Sequence, residues 1–355
     1  MVYTFKAELG NQKADGLFLR WTRKGDDGQS AQGKVPASRE AVVKTKLDKP
    51  GFVNVNVFLV DEQGRIIQQE YRDWTKKIKK RPVSYYAGTA VEPETLTDCG
   101  EPGDFDAFWD KQKKRLAAVP FKDNVTLKKV KTVDGADIYA VSIPCAGPRP
   151  VTGYLNVPVN AAVKSLPACI SFHGYGANIH YAPVHGNPKA LTLDINAHGQ
   201  ELGREESHYK QFFESIQSNG KIYAFDPVQN ADPETAFFNG MALRVMRAME
   251  YLKSRPEWNG KDLIASGGSQ GGLQTMWAAA LDPDVTEARP SITWCCDLAG
   301  TQKKLRLSGG WRIQYVPALD YYDPVFSVLD QISHIGGLVK HQIQFSRKGD
   351  TGFRP

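Results

Sequence analysis

The chain has 355 residues, 41% hydrophobic and 24% charged, which is ordinary globular usage; it excludes a small stapled or disordered protein and leaves room for about two domains. Lys and Arg number 45 against 39 Asp and Glu, a net charge of +6 spread along the chain. The one dense basic run, Lys76-Lys77-Ile78-Lys79-Lys80-Arg81, reads as a solvated loop, so no nucleic-acid partner is expected.

Residues 1–90 alternate with period two. Leu17 and Leu19, then Val53, Val55, Val57 and Leu59, fall on one face, with Asn54 and Asn56 opposite. Turn residues at Lys24-Gly25-Asp26-Asp27-Gly28 and Asp61-Glu62-Gln63-Gly64 separate the segments, which predicts a small amino-terminal antiparallel β-sandwich. Trp21, Trp74, Tyr85 and Tyr86 suit sugar stacking, although sandwich cores use aromatics as well.

The stretch from Gly88 to Gly103 loses periodicity and reads as a linker into a second domain, residues 91–355. Asp104 is an expected N-cap for a helix that places Phe105, Phe108, Trp109, Gln112 and Leu116 on one face. Three β segments follow: Val125 to Val133, Asp137 to Ile143 and Val151 to Val157. From Ala168 onward short apolar strands are expected at Cys169–Phe172, Ile222–Phe225, Leu263–Ala265 and Ile292–Trp294, with a helix from Met241 to Lys253 between the second and third. Crossover helices between apolar strands predict an open α/β sheet, mostly parallel and doubly wound.

The chemistry concentrates after Leu263. A strand runs into Gly267-Gly268-Ser269-Gln270-Gly271-Gly272, and a helix continues to Leu281. Strand, sharp turn and helix around G-x-S-x-G make a nucleophile elbow, in which small residues flank a serine held in strained backbone. A serine hydroxyl needs a base and an oxyanion hole to act as a nucleophile. One oxyanion donor is then the backbone N–H of Gln270. His173-Gly174-Tyr175-Gly176, at the end of strand Cys169–Phe172, is the candidate loop for the other, through the N–H of Tyr175.

These motifs, with the entry helix Asp104-Phe105-Asp106-Ala107-Phe108-Trp109 and with Asp323-Pro324-Val325 downstream, resemble the acetyl xylan esterase and cephalosporin C deacetylase family, carbohydrate esterase family seven. The similarity runs over about residues 103 to 325, and the sandwich resembles an accessory domain of some bacterial members. The resemblance implies an α/β-hydrolase fold and removal of acetyl groups from sugar hydroxyls, with acetylated carbohydrate as partner. It also implies a Ser, Asp and His triad, no cofactor, and often a homo-oligomer. By position Ser269 is the nucleophile, Tyr175 and Gln270 form the oxyanion hole, and Gly267, Gly268 and Gly271 support the elbow.

Beyond Ser269 the sequence departs from the family pattern. Arg347-Lys348-Gly349-Asp350 makes Asp350 the only acid that matches, and the histidine that should follow it has no position before Pro355. The expectation is a domain without its final strand, helix and triad histidine. His334 and His341, the only histidines after Ser269, precede the acid and so stand in the wrong chain order. Two other readings stay open: a catalytically impaired carbohydrate-binding remnant, and another α/β hydrolase such as a peptidase or thioesterase. The five cysteines, Cys99, Cys145, Cys169, Cys295 and Cys296, lack CxxC spacing, so neither a disulfide framework nor a metal site is expected. Met1-Val2-Tyr3-Thr4-Phe5 lacks leader character and no transmembrane-length apolar stretch occurs. The sequence as written reads as cytoplasmic, or periplasmic or secreted if a leader was removed.

Overall fold

The computed structural model describes residues 1–9, 14–73, 76–95, 100–296, 298–299 and 313–323. The chain divides near residue 97 into two units.

In the first unit the period-two pattern forms strands β1 (Val2–Phe5), β2 (Leu17–Gly25), β3 (Ser30–Pro36), β4 (Ala41–Lys44), β5 (Gly51–Asp61), β6 (Gln68–Arg72), β7 (Ile78–Pro82) and β8 (Ser84–Val91). Four of them make an antiparallel sheet in the order β3-β2-β5-β8, and β1 with β4 and β6 with β7 make two-stranded pairs. Phe5, Ala41 and Val43 of the β1–β4 pair bury against Leu19, Val55, Val57 and Leu59 of the larger sheet. The predicted face of β5 is therefore the core face, and each such large apolar side chain contributes about 1.5–3 kcal/mol on full burial.

Two details differ from the sequence reading. The basic run is solvated but is no loop: its second half is strand β7, fully exposed, paired with β6 and holding Lys79 on Asp73 at 2.9 Å. The region from Gly88 is not all linker either, because β8 continues to Val91 beside β5. Of the aromatics, Trp21 covers Gly33 so closely that a Cβ there would stand 2.6 Å from its ring, whereas Tyr85 and Tyr86 are exposed. Trp74 lies outside the described residues.

The second unit starts with α1 (Phe105–Ala117), which buries the five predicted residues, Phe105, Phe108, Trp109, Gln112 and Leu116. Asp104 occupies the N-cap position but makes no side-chain cap bond. Its carboxylate instead accepts the Tyr321 hydroxyl at 2.5 Å. Strands β9 (Thr126–Val133), β10 (Ala136–Ile143) and β11 (Val151–Pro158) follow the three predicted segments. Asp134 and Gly135, both at positive φ, make the tight turn between the first two.

Then come β12 (Leu166–Phe172), β13 (Leu191–Ile195), α2 (Glu206–Ser215), α3 (Phe237–Ser254), β14 (Trp258–Gly268), α4 (Gln270–Leu281) and β15 (Glu287–Ser291). The seven strands are ordered β15-β14-β12-β13-β11-β10-β9. The first four run parallel to one another and the last three join antiparallel. Every residue of α4 is buried, and α3 buries a continuous run from Phe238 to Met249; a helix enclosed all round is a core helix.

Two strand expectations need correction. Ile222–Phe225 is no strand, because Tyr223 and Ala224 form a turn with Ala224 at φ 67°. The strand in the sheet is instead β13, formed by the alternating Leu191-Thr192-Leu193-Asp194-Ile195, which the expected strands do not include. Ile292–Trp294 lies past the last parallel strand: β15 ends at Ser291, where φ 40° at Ile292 turns the chain away. Among the described residues no helix is long and apolar enough to cross a membrane.

Candidate active site

Strand β14 and strand β12 are parallel neighbours, and their register sets Gly267 beside Phe172. Both strands therefore end together, with the Gly-rich turn after β14 next to His173-Gly174-Tyr175-Gly176 after β12. Carboxyl ends of parallel strands are where open α/β sheets form their crevices.

At the turn Ser269 has φ 56° and ψ −117°, a region that L-residues with side chains avoid. The backbone on both sides clamps it there. Ser269 N–H donates to Ser291 O at 2.9 Å, and its own carbonyl accepts Trp294 N–H at 3.0 Å and Leu273 N–H at 3.2 Å. Gly271 can only be glycine: a Cβ would stand 2.1 Å from Phe172 O. A Cβ on Gly267 would lie 2.6 Å from Gly271 O, so strand and helix pass in backbone contact on both flanks of the serine. Gly268 differs, since its nearest neighbour would be Ser291 O at 3.9 Å.

Gln270 begins α4, where the first N–H groups of a helix have no intrahelical acceptor. Its side chain is fully buried, and Oε1 accepts the Tyr223 hydroxyl at 2.8 Å. The same hydroxyl accepts Gly176 N–H at 2.8 Å, so one phenol ties the loop after β12 to the start of α4. Tyr175 stacks on Tyr223 with centroids 4.3 Å apart and donates its hydroxyl to Tyr223 O at 2.9 Å. Burial pushes both phenols well above the usual tyrosine range, which keeps them protonated as donors.

Two histidines orient the carbonyls of this loop. His173 Nδ1–H donates to Gly174 O at 2.6 Å while Nε2 accepts Ala197 N–H at 3.0 Å, which fixes the neutral ring in one tautomer. His198 Nε2–H donates to Gly176 O at 3.0 Å. Burial holds His173 below the ordinary histidine value, and burial followed by the repulsion of His173 holds His198 well below it. Because a trans peptide points C=O and N–H in opposite directions, the grip of His173 on Gly174 O aims the Tyr175 N–H away from it.

Ser269, Gln270, Gly267, Gly268, Gly271 and Tyr175 are thus brought together. Among the described residues no side chain hydrogen-bonds the Ser269 hydroxyl, and the His–carboxylate pairs are His180 with Asp194 and His185 with Asp134, each at 3.1 Å. Asp350, His334 and His341 lie outside the described residues. Sequence reasoning missed His173 as a tether, and missed Tyr223 and His198 altogether. A tyrosine in a turn and a histidine in a loop carry no local pattern; only the folded chain brings them to the site. Among the described residues no group of His, Cys, Asp or Glu is arranged to hold a metal ion.

A mostly parallel sheet with a strained serine at a strand-to-helix turn defines the α/β-hydrolase class. Within it, the acetyl xylan esterase (AXE1) family model matches residues 96–304, and the chain belongs to that family. Over 255 residues it is 26% identical to the acetyl esterase Axe7A of Xylanibacter ruminicola, covering 68% of this chain and 57% of that protein. The chain thus spans little more than half the length of that relative. In fold it is similar to acetyl xylan esterase 1 from a Thermoanaerobacterium species, with 17% identity over 72% of this chain and 87% of that one and a TM-score of 0.53. An acetyl xylan esterase from Paenibacillus sp. R4 aligns over 72% of this chain and 77% of that one, with 21% identity and a TM-score of 0.49.

Proposed function

We propose that the second unit is a serine esterase that removes acetyl groups from carbohydrate esters through an acyl-enzyme. The observation that carries this reading is the backbone of Ser269, held at φ 56° between two glycines that admit no Cβ. No ordinary strand-to-helix turn needs such strain; a nucleophile that must project from the sheet does. Family membership supplies the ester chemistry.

In this reading Ser269 Oγ attacks the acetyl carbonyl carbon as its proton passes to a general base. The N–H groups of Gln270 and Tyr175 hold the oxyanion, the sugar hydroxyl leaves with the proton, and water then releases acetate. Asp350 is the acid of the triad. The deep burial of Gln270 and the two-sided anchoring of Gly176 preorganise the donors, which is where most of such a rate enhancement originates.

The test is hydrolysis of p-nitrophenyl acetate and of acetylated xylo-oligosaccharides by the wild type and by Ser269→Ala. The expected result is loss of turnover in the variant, and equal rates would sink the proposal. Longer acyl esters and aminoacyl amides in the same panel separate an acetyl esterase from a thioesterase or peptidase. His334→Ala and His341→Ala test the two histidines that follow Ser269 in the chain.

A further inference from the structure

Among the described residues, two arginines of the second unit, one buried and one half-buried, lack the carboxylate partner that buried Arg23 and Arg247 have. Arg23 pairs with Asp27 and Arg247 with Glu250. Arg244, in the middle of α3 and 1% exposed, forms no ion pair among the described residues, and neither does Arg149. Arg244 donates from Nε to Ala197 O at 2.9 Å and leaves Nη1 with no partner. Arg149 donates from Nε to His198 O at 2.5 Å and lies over the Phe212 ring.

Both arginines line one cavity of about 520 Å³, together with Arg115, Gln217, Thr235 and Asn239. Gly147 and Gly240 also belong to its wall, and a Cβ on either would stand within 3.4–3.8 Å of Arg244 Nη1. The Arg244 guanidinium therefore reaches the wall beside two residues without side chains, with Nη1 itself sealed from solvent. The one carboxylate on the wall among the described residues, Glu234, is taken by Lys111. Burial pushes the nearby Cys145 thiol up, against the pull of Arg244. Burial, and then the charge of Arg149, lowers Arg244 to about 9, the mark of a cation placed without its anion.

We propose that this cavity binds an oxyanion, a carboxylate or phosphate group, held between the guanidinium groups of Arg244 and Arg149. Planar guanidinium donors match two oxygens of either group, and an uncompensated buried charge costs several kcal/mol that such a ligand would relieve. The volume is in the range of small-molecule sites, so the anion can be carried on a sugar acid or a phosphomonoester as well as free. The cavity is not the serine site, and the proposal does not depend on esterase activity.

The experiment is calorimetric titration of the full chain with sodium glucuronate, sodium acetate and sodium phosphate at fixed ionic strength, with sodium chloride as the control. It uses wild type, Arg149→Gln and Gln217→Glu, with folding of each verified by thermal melts. Saturable binding of at least one oxyanion is expected, weakened at least tenfold both by loss of the Arg149 charge and by the added carboxylate. Tightest binding of glucuronate points to a sugar acid, of phosphate to a phosphoester, and of acetate to the small carboxylate alone. No saturable binding to the wild type, binding no better than chloride, or a less than tenfold change in Arg149→Gln overturns the proposal.

Discussion

Tyr223 joins the two halves of the candidate site to each other: its hydroxyl donates to Gln270 Oε1 and accepts Gly176 N–H, both at 2.8 Å. The bond partners sit on elements almost fifty residues on either side of it, the loop after β12 and the first turn of α4. The oxyanion donors proposed above lie on those same two elements. Their separation is therefore set by one phenol as well as by the β12–β14 register.

Tyr223→Phe keeps the ring stacked on Tyr175 and deletes only that oxygen. The buried Gln270 Oε1 loses its partner, at about 1–3 kcal/mol, and the part-buried Gly176 N–H loses its own at less. The expected result is a cooperative melt at lower temperature, and a fall in acetyl ester turnover of about 10²-fold from misplacement of the donors. Chemical denaturation and kcat measured on the same preparation check it. A variant with wild-type stability and kcat would show that the hydroxyl bridge positions nothing.

The glycines around Ser269 make a sharper contrast because they differ over a few residues. Gly271→Ala drives a Cβ to 2.1 Å from Phe172 O, and since both partners are backbone, nothing nearby can rotate away. A loss above about 4 kcal/mol, or failure to fold, is expected. Gly268→Ala meets nothing nearer than 3.9 Å and should change stability by less than about 1 kcal/mol. Denaturant midpoints of the two variants decide whether backbone contact or merely small size is required at the turn.

The same neighbourhood indicates what a sequence can and cannot disclose. Gly267-Gly268-Ser269-Gln270-Gly271 announces a sharp turn because its constraint is local, and the α1 face is legible because its five core residues repeat at helical spacing. Tyr223 sits in a short apolar run, Ile222 to Phe225, that has the composition of a strand. What makes it a turn instead is tertiary: Ala224 N–H donates to Gln229 Oε1 and Asn230 Nδ2 donates to Ala224 O, both at 2.8 Å. Four apolar residues carry too little periodicity to distinguish these outcomes. His198 is invisible for a related reason, since its role depends on Gly176, over twenty residues earlier.

Stability should fall on the acid side of neutrality. His198 is held well below its ordinary value of 6.5, and His173 is lowered as well. The unfolded chain therefore binds protons near pH 6 that the folded chain refuses, and stability rises with pH through that window. Above about pH 7 both states are neutral at these positions and the dependence vanishes. Below pH 6.5 each histidine costs about 1.4 kcal/mol per pH unit until its folded value is reached. Unfolding free energies from pH 5 to 8 should show this slope, shallower in His198→Gln, which retains a donor for Gly176 O and cannot titrate. An identical slope in the variant would remove His198 from the account.

The strain at Ser269 predicts a variant that gains stability while losing the proposed chemistry. At φ 56° and ψ −117° a serine bears about 1–3 kcal/mol that glycine does not. Against this, glycine costs about 0.5–1 kcal/mol of extra unfolded-state entropy. The balance favours Ser269→Gly by roughly 1 kcal/mol, whereas Ser269→Ala keeps its Cβ and hence the strain. Ser269→Gly should thus melt a few degrees above both Ser269→Ala and the wild type, for a unit whose ΔΔG of 1 kcal/mol moves Tm by about 2–4 °C. Both variants should lack acetyl ester turnover, because neither has the hydroxyl. A Ser269→Gly protein no more stable than Ser269→Ala would mean that the backbone at the turn stores no strain.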